Sequence, residues 1–398
     1  MLLNKKTAFF RMQNVIKNYS WGSKTSIYEL FGIPNSENKP QAEIWMGTHP
    51  NGCSTVECQA TKLKLSDLIA KDKTSFLSAK TVEEFGELPY LFKVLAANQA
   101  LSVQVHPSKQ EAEVGYEKEN NAGIPINSPV RNYKDSNHKP ELVYALTRYQ
   151  AMNGFRNFTE ILNLFKSIKS ETLLPLIQRF SIDQTASGLE KFFVTLLSLS
   201  GQQKKLALND LLSFAQRKTT DISELILELS QTYPGDIGLF TPLLLNIITL
   251  NPGEAMYLEA RTPHAYIKGT GLEVMANSDN VLRAGLTTKH IDVIELASCT
   301  DFKEKTFETL KLEPTVHEFG EQKYAPPISD FKFSLYPSPS QAVVKPQSAE
   351  IIMAIDTDVT LTHRNENFVL SKGQSVFIPA YVDEYSIQSQ ARIARVYN

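Results

Sequence analysis

Through residues 7–149, apolar and polar positions alternate in short runs separated by Gly, Pro, Asn and Ser. A period of two with frequent breakers predicts β-strands joined by long loops. Residues 15–22 and 42–50 stand out as strand candidates, and residues 89–95 read as another, with Lys93 in an apolar setting where it either snorkels or faces an anion. In Leu101-Ser102-Val103-Gln104-Val105-His106-Pro107, the β-formers run from Ser102 to His106 and Pro107 stops the ladder. Alternation turns Val103 and Val105 to one face and Gln104 and His106 to the other. One face can pack; the other offers an amide oxygen and an imidazole.

Past Phe155 the spacing lengthens to the helical period. Phe158, Ile161, Leu162, Phe165 and Ile168 form one apolar face, preceded by Asn157 and Glu160 at capping-box spacing. Leu189, Phe192, Phe193, Leu196 and Leu197 repeat it, and Asp221 with Glu224 opens a third helix over Leu225 and Leu229. The block ends near Pro234-Gly235, with one more helix expected over residues 239–249. It contains no catalytic cluster and reads as a helical insertion. Strand character returns at Asn251 and dominates from about Thr306 to the end, as in residues 331–335 and 358–362. Residues 253–258 and 373–378 share an apolar pattern without gaps, and the same register sets His264 opposite Glu384. The fold class expected is mainly β with a helical insertion, built on two related β-barrels of which the second has lost a ligand.

Bulk composition narrows the function classes. The 398 residues predict two or three domains, and 42% apolar with 21% charged residues is ordinary for a globular chain. With 41 basic against 43 acidic residues the net charge is -2, which argues against nucleic acid or a membrane surface as a partner. Lys5 and Lys6 are followed by no apolar run, so no secretion signal is read there. The apolar stretch at residues 243–250, broken by Asn246, is too short to span a bilayer. Cys53, Cys58 and Cys299 form no C-x-x-C pair; neither a disulfide framework nor a thiolate zinc site is expected, and a cytoplasmic location is the default.

Four side chains could share an ion. Glu141 opens an apolar strand, where a carboxylate needs a cation or donors to offset its desolvation. His264 follows Pro263 on a turn after a strand. With Gln104 and His106 they make a set of nitrogen and oxygen donors that suits zinc with one position free, although the Gln leaves manganese or iron open. Trp21 and Trp45, the only tryptophans, read as core anchors with a sugar-stacking face as the alternative; Glu43 and His49 read as ordinary hydrogen-bonded residues.

The motifs Asn-Tyr-x-Trp-Gly, Ala-Glu-x-Trp-Met-Gly-Thr-His, Gln-x-His-Pro, Asn-His-Lys-Pro-Glu, Pro-His-Ala-Tyr and Ser-Asp-Asn-x-x-Arg-Ala-Gly occur in this order along the chain. In this combination the sequence resembles the type I phosphomannose isomerases, zinc enzymes of the cupin superfamily. The resemblance implies one Zn²⁺ per chain on Gln104, His106, Glu141 and His264, a catalytic-site Arg283, an active-site Lys139 and a lysine at the cleft mouth, Lys289. It also implies two cupin (jelly-roll) barrels plus an α-helical domain. The catalytic barrel takes residues 1–153 and 243–300, the helical insert 154–242, and a metal-free barrel 301–398. Thr288 stands where the family usually has Pro, His290 where it has an aromatic residue, and Val274 where Cys commonly precedes the Met; none is a proposed ligand.

The reaction implied is interconversion of mannose 6-phosphate and fructose 6-phosphate through a cis-enediol, by a monomer acting on a small sugar phosphate. Arg283 and Lys289 suit the phosphate, and Arg283 alternatively stabilises enediolate charge. Lys139 and Glu273 are the candidate proton-handling group, unless Glu273 merely pairs with Arg283. Tyr266, Trp21, Ser102 and Lys93 complete the candidate substrate contacts. Two other classes remain: a cupin oxygenase with a two-His, one-carboxylate iron site, against which the extra Gln104 counts, and a non-catalytic sugar-sensing cupin, which lacks an evident DNA-binding module.

Overall fold

The computed structural model describes residues 7–58 and 61–398, so the reading of Lys5 and Lys6 lies outside the described residues. Antiparallel pairing organises the described strands into sheets of nine, ten and four strands. Among the described residues, no helix is long and apolar enough to cross a membrane.

The long strand His264–Ala276 is the axis of the ten-stranded sheet. Its first half pairs with Tyr149–Phe155 and meets Val103–Val105; its second half runs between Tyr90–Ala97 and Glu141–Ala145. This register sets His264 opposite Gln104, Glu273 opposite Lys93 and Met275 opposite Glu141. On the far side of Val103–Val105 lies Leu282–Gly285, with Arg283 opposite Gln104.

Five helices, Phe158–Ile168, Leu174–Ile182, Ala186–Leu197, Gly201–Gln216 and Asp221–Thr232, make up the insertion. Asn157 caps the first of them by accepting from the backbone of Thr159 and Glu160, but the Glu160 carboxylate turns to Arg156 rather than completing a capping box. The apolar helix faces join Val103, Val105, Phe155 and Leu282 in one buried cluster. Val103 and Val105 therefore pack on the insertion, each burial contributing about 1.5–3 kcal/mol, while Gln104 takes the opposite face.

Two expectations fail. Residues 239–249 are not one helix: a 3-10 turn Ile237–Phe240 and the short helix Thr241–Leu244 give way to the strand Leu245–Leu250, paired with Tyr149–Phe155. A continuous apolar run has no period to separate helix from strand. The β-branched Ile247, Ile248 and Thr249 favour the sheet, and the Asn246 amide satisfies the backbone there by donating to Phe155 O (3.1 Å) and Lys305 O (2.9 Å). In the region read as strands and loops, the 13-residue helix Lys109–Asn121 appears, begun by a full capping box of Ser108 and Glu111. Only Ala112, Gly115 and Glu119 of it are buried, so its apolar pattern is faint.

In the C-terminal third, Glu350–Ala354 lies between Ser375–Ile378 and Ile393–Tyr397. The N-terminal strand Phe10–Gln13 adds to the same sheet, with Phe10 opposite Phe377. Apolar residues of this sheet and of the four-stranded sheet pack into one core, including Ile352, Val376, Leu361 and Ile387. The repeat noted in the sequence reappears as pairing. Leu258 lies opposite Glu141, and Ile378 lies opposite Glu350. Glu273 lies opposite Val143, and Arg395 opposite Ile352, two residues beyond each glutamate.

Candidate metal centre

Strand ends build the site. His106 follows Val103–Val105 directly, Glu141 is the first residue of Glu141–Ala145, and His264 is the first of His264–Ala276. A strand end keeps a side chain anchored by the sheet while leaving it a free approach, and all three are buried. His106 Nε2 lies 3.2 Å from Glu141 Oε1 and His264 Nε2 lies 3.5 Å from Glu141 Oε2. One ligand atom from each residue falls within 4.8 Å of the others.

Both rings face inward for a chemical reason. His106 Nδ1 sits 2.7 Å from Asn280 O, and His264 Nδ1 2.9 Å from Thr262 O. A carbonyl can only accept, so each Nδ1 carries a proton, and Nε2 is the ring atom turned towards Glu141 and left for a metal. The buried His106 Nε2 has no hydrogen-bond partner of good geometry. An orphaned acceptor of this kind is what a metal ligand leaves behind, and two imidazoles with a carboxylate fit a zinc-type ion. Gln104 stands between His264 and Arg283 in the sheet and donates its amide to Ser102 Oγ (3.1 Å). It lines a cavity of about 80 Å³ together with Ser102, Lys93, Lys139, Glu141, His264, Tyr266, Glu43 and Glu273.

Electrostatics differ between the two acids. Burial opposes ionisation of Glu141, but Lys139 (Nζ to Oε1 3.1 Å) outweighs it and holds the carboxyl well below its ordinary range. Tyr266 OH donates to its other oxygen at 2.6 Å. Burial, then Lys139, depresses the His106 ring to about 4, so it stays neutral and ready to ligate. Glu273 is raised by burial, despite Lys93, with Glu141 and Glu43 adding to the rise. Lys93 is buried too, yet Glu273 (2.8 Å) and Glu43 (3.9 Å) keep it firmly protonated. The alternative that Glu273 pairs with Arg283 is thus corrected: its partner is Lys93, directly across the sheet.

Arg283 is half-buried and has no ion pair among the described residues; Nη1 donates a long hydrogen bond to Val281 O at 3.5 Å. Arg283, then burial, then Lys134 depress the exposed Lys289, so three cations without carboxylate partners among the described residues stand near one another. Lys134 escaped the sequence reading, although it stands in the same polar segment as Lys139. The insertion fixes this edge: Asp236 accepts from the backbone of Leu286 (2.8 Å) and Thr287 (3.1 Å). Gly285, at φ +142°, lies so close to Gly238 that a Cβ would sit 2.4 Å from its Cα. Trp21 does not line the cavity; it is half-buried and stacks on Tyr19 at 5.7 Å. Trp45 is buried and donates to Glu43 at 2.6 Å. His49 accepts from Asn51 N (3.2 Å) and lies 3.5 Å from Asp279.

Comparison with known proteins gives a consistent set. The family model described as phosphomannose isomerase type I, catalytic domain, matches residues 9–158; the type I helical insertion domain matches 164–245; and the mannose-6-phosphate isomerase cupin domain matches 321–398. Mannose-6-phosphate isomerase of Escherichia coli (strain K12) is 45% identical over 98% of this chain and 99% of its own length. The Homo sapiens protein of the same name is 34% identical over 93% of each. A crystal structure of zinc-bound mannose 6-phosphate isomerase superposes with a TM-score of 0.94 at 43% identity, covering 98% of this chain and all 100% of that one.

Proposed function

Since the chain belongs to the type I phosphomannose isomerase family, we propose that it is a zinc-dependent aldose–ketose isomerase interconverting mannose 6-phosphate and fructose 6-phosphate. The observation that carries this reading is the convergence of His106, Glu141 and His264 near a cluster of Arg283, Lys289 and Lys134 that has no carboxylate partner among the described residues. Gln104 is the fourth ligand on this reading. Zinc held there supplies Lewis acidity towards the substrate oxygens.

The chain's own residues do the rest. Arg283, Lys289 and Lys134 receive the phosphate, a guanidinium fork and two ammonium groups meeting a dianion. In the aldose-to-ketose direction a base takes the C2 proton, giving a cis-enediol as O1 gains a proton. The enediol then loses its O2 proton while C1 is protonated, leaving the C2 ketone. Lys139 and Glu273 line the cavity and form the proton-handling group, with Lys93 fixing the Glu273 carboxylate at 2.8 Å. The raised affinity of Glu273 for its proton favours a carboxyl that can both accept and return one. Tyr266 holds Glu141 in place from the other side. Burial of the cavity walls keeps water from the reacting carbons.

The same reading makes residues 1–153 and 243–300 a catalytic cupin-type barrel, 154–242 its insert and 301–398 a second barrel without metal, working as a monomer in the cytoplasm. It is tested by turnover of mannose 6-phosphate with purified protein, followed through formation of fructose 6-phosphate. Turnover should vanish on chelation and return with zinc; a zinc-loaded preparation inert towards both sugar phosphates would refute it.

A further inference from the structure

The two imidazoles of the metal centre are oriented by different means. His264 relies on its own turn, through Thr262 O two residues away. His106 relies on a residue 174 positions distant, Asn280, whose carbonyl lies 2.7 Å from Nδ1. Asn280 is fully buried and its side chain is spent on the opposite loop. Its Oδ1 accepts from Lys134 N (2.7 Å) and Asp135 N (3.2 Å). Its Nδ2 donates to Asp135 O and Asn137 O, both at 2.8 Å. One residue therefore joins the ring of a ligand to the segment that carries Lys134 and leads into Lys139.

We propose that Asn280 is a positioning residue for the metal centre: its amide clamps residues 134–137, which fixes the carbonyl that aims His106 and sets the approach of Lys139 to Glu141. The inference rests on the zinc reading above. Removing the amide leaves the backbone carbonyl present but no longer held, so the ring gains freedom about its Nδ1 hydrogen bond and Nε2 drifts off the point shared with His264. Outer hydrogen bonds of this kind govern metal affinity as well as ring orientation. They act without touching the ion or the sugar.

The test compares Asn280→Ala with a control of equal burial. Asn246 is also a buried amide bonded to carbonyls, most closely at Phe155 O and Lys305 O and at 3.4 Å to Asn153 O and Gly154 O, and none of these hydrogen bonds ends on a proposed ligand or on Lys139. In the full chain, Asn280→Ala should weaken zinc binding about 10- to 100-fold by competition with a chromophoric chelator. It should also shift the visible spectrum of the cobalt(II)-loaded protein and lower kcat more than it changes KM. Asn246→Ala should lower the melting temperature yet keep the zinc affinity and the cobalt spectrum. If Asn280→Ala does not fold, Asn280→Asp keeps the acceptor for Lys134 and Asp135 but sets an oxygen against two carbonyls, and the same shifts are expected. Native zinc affinity with a native cobalt spectrum in the Asn280 variants would overturn the inference, whatever their melting temperature. Failure of the parent chain to bind zinc, or undiminished binding by His106→Ala, would instead overturn the zinc reading.

Discussion

Glu141 and Glu350 occupy matching places in the two large sheets and are neutralised in opposite ways. Each is the first residue of a strand, each is buried, and each accepts a hydrogen bond of 2.6 Å from a tyrosine, Tyr266 or Tyr385. In the C-terminal sheet the cation belongs to the chain. Arg395 meets Glu350 through Nε (2.9 Å) and Nη2 (2.5 Å) and reaches Glu321 with Nη1 (3.2 Å). In the other sheet the position matching Arg395 is Glu273, a second acid, and Glu141 is left with Lys139 on one oxygen and two imidazoles pointing at it. The difference teaches where function resides: a buried carboxylate whose two oxygens are closed by one internal guanidinium is structural, whereas one that keeps a lysine on a single oxygen and turns both oxygens to imidazoles leaves room for an ion.

The sharpest way to break the comparison is to disable the open acid. Glu141→Gln or His106→Ala should abolish stoichiometric zinc binding and lower kcat by about 10⁴-fold, the loss of several kcal/mol of charge stabilisation. Next in size is the closed acid. Arg395→Met should cost about 3–5 kcal/mol of stability in denaturant titrations, because it strands a buried charge, with zinc still bound at one per chain. Pairing it with Glu350→Leu should recover much of that loss. A single variant as stable as the parent would show that the guanidinium is not needed there.

A pH titration separates the two regions further. His106 is depressed from 6.5 to about 4 by burial and Lys139, so between those values the unfolded chain binds more protons than the folded one. Stability of the metal-free protein should therefore fall as pH drops from about 6.5 to about 4, and hydrogen exchange should rise first at Val103–Val105 and His264–Ala276. Burial opposes the charge on Arg395, but Glu350 holds its affinity for the proton well above normal, so it stays charged throughout that window. Glu350–Ala354 and Ile393–Tyr397 should keep their protection. The smallest effect expected is at the cationic edge: Arg283→Ala or Lys289→Ala should raise KM for the sugar phosphate about tenfold each, the loss of a charge-assisted contact of about 1.5 kcal/mol, with zinc content unchanged.

Strand alternation made much of this site legible in advance. The period of two alone set Gln104 and His106 against Val103 and Val105, and the structure puts the valines on the insertion and Gln104 in the cavity. The convergence of His106 with Glu141 and His264 was not in the period: donor chemistry grouped them and motif resemblance joined them, since nothing local links side chains so far apart in sequence. Helix Lys109–Asn121 hid because its exposed face is nearly all polar, although Ser108 and Glu111 announced its start. Residues 239–249 misled for the reverse reason, an apolar run with no period. The Glu273 partner was missed because strand register places it opposite Lys93, whereas motif proximity had favoured Arg283. Asn280 stood out only as a letter of the Ser-Asp-Asn-x-x-Arg-Ala-Gly motif; its work is done across the chain at Lys134, Asp135 and His106, where no local pattern points.

The most direct test measures bound zinc and mannose 6-phosphate turnover on the same samples as metal-free protein is titrated with zinc. The account predicts turnover rising in proportion to bound zinc and levelling at one ion per chain, with His106→Ala showing neither. Turnover that is complete before any zinc is added, or zinc that binds with full affinity to His106→Ala, would contradict it.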